Sequence, residues 1–162
     1  MFKRILVLFV ALLAVACDTR PPEWTATVCL DPSLSEEYRA GMLSAADEWH
    51  GKSGGAVALT FRDGVGCDLD VRMAQLQDPD GGPRIGQTHS RHGDQDWIAF
   101  DADATADFDS EPREIALHEL GHYLTGHSHS DDPSDIMTAH AVPGARGRML
   151  TDADANRLWS VQ

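Results

Sequence analysis

Residues 118–137 read HELGHYLTGHSHSDDPSDIM, and the first twelve of them hold four histidines. His118 and His122 stand at i and i+4, so on a helix their imidazoles stack on one face and can share one Zn²⁺ ion. Glu119 is one residue on and cannot ligate that ion from the same direction. Its carboxylate can instead sit beside the ion's open position and accept a proton from water, whose pKa the metal lowers towards neutrality. The same carboxylate could then pass that proton to a leaving amine. A five-residue match of this kind also arises on helices that merely carry two solvated histidines. Three features set this one apart. Capping and periodicity independently place a helix here, Gly126 follows as a stop with His127 and His129 just beyond, and the turn-forming DPSD leads into Ile136 and Met137.

The element that must present these groups is SEPREIALHELGHYLTG, residues 110–126. Ser110 is a candidate N-cap, Pro112 suits the first turn, and Glu111 and Glu114 favour the positive end of the helix dipole. Ile115, Leu117, Leu120 and Leu124 supply the apolar contacts, and Gly126 sits where a helix stops. Upstream, WTATVCL (24–30) reads as a first strand. A helix follows, capped by Ser33 or Ser35, with Tyr38, Met42, Ala45, Ala46 and Trp49 on one stripe and Gly51, Gly54 and Gly55 ending it. AVALTFR (56–62) and DLDVRMAQL (68–76) are the next strands. RIGQTHS (84–90) reads as a short edge strand and DWIAFD (96–101) as another, before the acidic loop ADATADFDS. Near the end, Thr151 or Asp152 caps a last helix in MLTDADANRLWSVQ. This order predicts an α+β, α/β-like domain with a mixed sheet.

The length of 162 residues suits one compact domain. Residues 1–16 read as a signal peptide: Lys3 and Arg4 form a basic start, Ile5 to Val15 an apolar run too short for a comfortable membrane span. LAVAC resembles the bacterial lipobox, which makes Cys17 a lipidation candidate, residues 17–23 a tether and residues 24–162 the folded domain. Export to the cell envelope on a lipid anchor, or free secretion, is the expectation. Cys29 and Cys67 then remain as an even pair in an oxidising setting and are disulfide candidates. The chain has 13 basic and 26 acidic side chains, and loss of Lys3 and Arg4 leaves 11 against 26, a balance of −15. Such a charge argues against nucleic acid, and against an anionic membrane surface except through a lipid anchor.

Residues 118–137 resemble the metzincin clan of zinc peptidases, whose motif is HExxHxxGxxH followed by a methionine-containing turn. DWIAFD before the helix and HSDDPSDIM after it look most like the matrixin branch. The resemblance implies a three-layer domain: a mixed twisted sheet, an active-site helix and a small C-terminal subdomain. It implies one catalytic Zn²⁺ on His118 and His122, Glu119 as general base and Met137 in the turn. The clan's third histidine would fall at Ser128, and its glycine at Thr125 rather than Gly126. One inserted residue explains both shifts and favours His129 as third ligand, at the matrixin distance from Met137, with His127 as the alternative. A structural Ca²⁺ or second Zn²⁺ at His89, His92, Asp94, Asp101 or Asp103 is disfavoured by spacing, and a solvated acidic loop is the plainer reading. His50 and His140 have no constellation around them. The expected function is a monomeric zinc endopeptidase whose peptide substrate lies along RIGQTHS as an added strand. The alternative is a non-catalytic zinc-binding lipoprotein or adaptor module.

Overall fold

The computed structural model describes residues 24–77, 84–90, 95–102, 111–126, 128–139 and 147–158. The expected signal and tether, with Cys17, lie outside these, as do Ser110, His92, Asp94, Asp103, His127 and His140. The described elements run β1 (Trp24–Leu30), α1 (Glu36–Lys52), β2 (Val57–Asp63), β3 (Leu69–Ala74), β4 (Gly86–His89), β5 (Asp96–Asp101), α2 (Pro112–Thr125) and α3 (Asp152–Arg157). They form one mixed five-stranded sheet in the order β2-β1-β3-β5-β4, with helices, the α+β class that the sequence predicts.

β1 pairs in parallel with β2 and β3, and β3 with β5, whereas β4 lies antiparallel to β5 at the sheet edge. Parallel neighbours in sequence need a crossover, and α1 supplies it between β1 and β2. Ser35 is the residue that caps α1, its hydroxyl accepting from the Tyr38 N–H. The helix runs through Gly51 to Lys52, and Gly54 and Gly55 turn the chain beyond it with φ of 64° and 87°.

Alternation along the strands decides which side chains meet the helices. Val28 and Leu30, Leu69 and Val71, and Ile98 and Phe100 are buried with Met42, Trp49, Leu117, Leu120 and Leu124 in one core. Both long helices therefore cover the same sheet face. They approach closely at Gly41, where a Cβ would come within 2.8 Å of the Arg113 nitrogen. Trp49 adds a bond across this interface, its indole N–H donating to the Leu117 carbonyl at 3.3 Å. On the opposite face the Cys29–Cys67 disulfide ties the end of β1 to the turn before β3.

α2 begins one residue later than a Ser110 cap requires. Its N-cap is Glu111, which makes no side-chain capping bond, and Pro112 follows in the first turn. Proline has no N–H to be capped and its φ is already helical, so this start needs less from a capping side chain. At the other end Gly126 adopts φ 61°, and its N–H donates to the His122 carbonyl at 2.9 Å. That left-handed residue turns the chain back along α2.

Candidate metal centre

The turn at Gly126 brings His129 back to the two histidines of α2. His122 Nε2 lies 3.0 Å from His118 Nε2 and 3.2 Å from His129 Nε2. Tetrahedral Zn²⁺ with nitrogen ligands near 2.05 Å separates those nitrogens by about 3.3 Å. The three rings thus converge at the spacing one such ion requires, and they form a group able to hold a metal. A second ring bond fixes which nitrogen faces inward. His118 Nδ1 is 2.8 Å from the Ile136 carbonyl, which can only accept, so Nδ1 carries the hydrogen and Nε2 keeps its lone pair. Burial pushes the His118 pKa down to about 4; the bond to Ile136 opposes this, and His122, His129 and Arg148 add to it. The ring is neutral at pH 7, the form that ligates a metal.

Glu119 meets β4 and is 4% exposed. The Thr88 hydroxyl is 2.5 Å from Glu119 Oε2 and 3.0 Å from the Glu119 backbone carbonyl. Room for the carboxylate comes from Gly86, two residues earlier on the same strand face. A Cβ there would lie 3.0 Å from both Cγ and Cδ of Glu119 and would overlap Oε1. Burial raises the Glu119 pKa to about 7, against the Thr88 hydrogen bond and the charge of Arg84. A cation held by the histidines would favour the carboxylate and draw that value down.

Met137 is 2% exposed and packs against α2 at Gly121. A Cβ on Gly121 would overlap Met137 Sδ and come 3.3 Å from its Cε, so the glycine inside HELGH admits the methionine. The turn that carries Met137 is closed by its own bonds. Asp135 Oδ1 accepts from the Met137 N–H at 2.8 Å, and the Ser130 N–H donates to the Met137 carbonyl at 2.9 Å.

The structure therefore brings His118, His122 and His129 together, with Glu119 of the same helix held against β4 and Met137 packed against Gly121. His89 and Asp101 stand apart from it. The His89 ring stacks on Trp97 with centroids 5.2 Å apart, and Asp101 ends β5 largely buried. His50 Nδ1 bonds the Val57 carbonyl at 2.6 Å, a structural role. The only other group among the described residues with metal-ligand spacing is Cys29, Cys67 and Asp70, and its two sulfurs are bonded to each other. Gly86, Thr88 and Gly121 were not singled out by sequence reasoning. The alternation Gly86-x-Thr88 in an edge strand was the available signal, since it puts both residues on one face.

No curated protein matches the chain. The family model for matrixins matches residues 60–161, well over half of its length. That span starts within β2 and runs through the histidine helix, the methionine turn and α3. The histidine cluster thus sits inside the matched span, and the chain belongs to the matrixin family.

Proposed function

We propose that this chain is a zinc-dependent endopeptidase in which His118, His122 and His129 hold the metal and Glu119 is the general base. One observation carries the reading: His122 Nε2 lies 3.0 and 3.2 Å from the Nε2 atoms of His118 and His129, and the helix that bears His118 and His122 also bears the buried Glu119 carboxylate. Zinc, when bound, supplies a Lewis acid for water and for the scissile carbonyl. Glu119 accepts a proton from the attacking water and delivers it to the amine nitrogen as the C–N bond breaks. Thr88 holds the carboxylate in place through Oε2. β4 pairs only with β5 among the described strands, so its outer edge can take an extended peptide as a further strand.

Replacing Glu119 by Gln tests this directly. The variant should bind zinc stoichiometrically and lose hydrolysis of casein. Undiminished hydrolysis would sink the mechanism, and a wild-type chain that binds zinc but cleaves nothing would favour a non-catalytic zinc-binding module. Residues 1–17 support export with a lipid on Cys17. Incorporation of labelled fatty acid, abolished by Cys17→Ser, is the expected result.

A further inference from the structure

Accepting that the three histidines hold a metal, the geometry points to Asp135 as a positioning residue that sets two of them at once, with Arg157 of α3 as its required counter-charge. The Asp135 carboxylate, 12% exposed, does three things. Oδ1 accepts from the Met137 N–H at 2.8 Å, which shapes the turn carrying the Ile136 carbonyl, and that carbonyl orients His118 at 2.8 Å. The Ser130 side chain also hydrogen-bonds Asp135, and Ser130 directly follows His129. The Arg157 guanidinium closes on both oxygens, Nη2 to Oδ2 at 2.5 Å and Nη1 to Oδ1 at 3.2 Å.

A two-pronged arginine contact fixes the plane of a carboxylate as well as its charge. Without Arg157, a largely buried anion would lose its partner and would swing towards solvent, taking the turn with it. Arg157 is itself aimed. Its Nη1 also bonds Asp154 at 2.8 Å, and Asp154 closes a capping box with Thr151 at the start of α3. Arg148 braces the same turn from the side, its Nη1 donating to the Asp135 carbonyl at 3.2 Å. α3 thus reaches the turn behind His118 and His129 through the Arg157 side chain.

The test uses the full chain and four variants: Arg157→Gln, Asp135→Asn, Arg157→Lys, and the control Arg39→Gln. The control breaks the 2.7 Å pair with Asp63, far from the histidines in the fold. Zinc affinity is read by competition with a chromophoric chelator, ligand geometry by the visible spectrum of the Co²⁺-loaded protein, and folding by circular dichroism. Arg157→Gln and Asp135→Asn should bind zinc about tenfold to a hundredfold more weakly, as outer contacts of metal ligands do. Their Co²⁺ spectra should shift, Arg157→Lys should recover part of the affinity, and Arg39→Gln should bind as wild type. If Arg157→Gln does not fold, Asp135→Asn decides, because it keeps an acceptor for Met137. Folded variants with wild-type affinity and spectrum overturn this inference alone, as does an equal loss in Arg39→Gln. A wild-type chain that binds no zinc overturns the histidine reading beneath it as well.

Discussion

Replacing Gly86 by alanine adds one methyl group, and the structure dictates where it goes. Gly86 is not among the glycines with positive φ, so alanine meets no backbone penalty there. Its Cβ would lie 3.0 Å from Cγ and Cδ of Glu119, and closer still to Oε1. Comfortable carbon contacts are about 3.5–4.0 Å, so the carboxylate must retreat by roughly half an ångström or more. Retreat is opposed by the Thr88 hydroxyl on Oε2 and by the burial of the whole side chain. Overpacking of this kind costs about 1–3 kcal/mol. A displacement near 1 Å of a catalytic group lowers turnover by about a hundredfold. Gly86→Ala should therefore reduce kcat on a quenched fluorescent peptide by roughly 10- to 100-fold, keep stoichiometric zinc, and melt below wild type. A tolerated Gly→Ala exchange instead stabilises by about 0.4–1 kcal/mol through the unfolded chain, so the sign of the melting shift is informative. A variant with wild-type kcat and a raised melting temperature would refute the placement of Glu119 against β4.

Gly121→Ala should destabilise the apoprotein by about 1–3 kcal/mol in urea unfolding, because its methyl collides with Met137. Replacing Cys29 and Cys67 by serine opens a link of sequence separation 38 and should cost about 4 kcal/mol in the same assay, by loop-closure entropy. Acid should weaken the fold through Asp135. Arg157 holds its pKa below the ordinary 3.8, so the pair stabilises fully above that value and the contribution is lost as pH falls further. Melting curves between pH 5 and 2 should fall more steeply for wild type than for Arg157→Gln.

What the sequence disclosed was whatever has a local period. The i and i+4 histidines, the alternation of DWIAFD and the left-handed stop at Gly126 each depend on neighbours within a few residues. β5 accordingly spans Asp96–Asp101 as read, whereas RIGQTHS shortens to Gly86–His89, because edge pairing with β5 sets its ends. His129 stands beside His122 through a turn whose closure depends on Asp135 and Met137, and family spacing pointed to it only by allowing one inserted residue. Asp135 itself looked like part of a turn signal in DPSD. Its carboxylate meets Arg157 only in the folded chain, 22 residues later, and no periodicity marks such a pair. The fit of Gly86 to Glu119 is likewise a distance across 33 positions that composition does not encode.

The C-terminal segment has a consequence for timing. Leu150 donates its N–H to Glu48 at 2.6 Å, and the Arg148 N–H donates to Glu114 at 2.7 Å, so this segment docks on both long helices while Arg157 reaches the methionine turn. A nascent chain emerging residue by residue possesses His118, His122, His129 and Glu119 well before it possesses Arg148 and Arg157. The histidine cluster and Glu119 are thus written early and braced late. If the histidines hold a metal as proposed, a polypeptide still being made would carry them loosely until Arg148 and Arg157 have emerged.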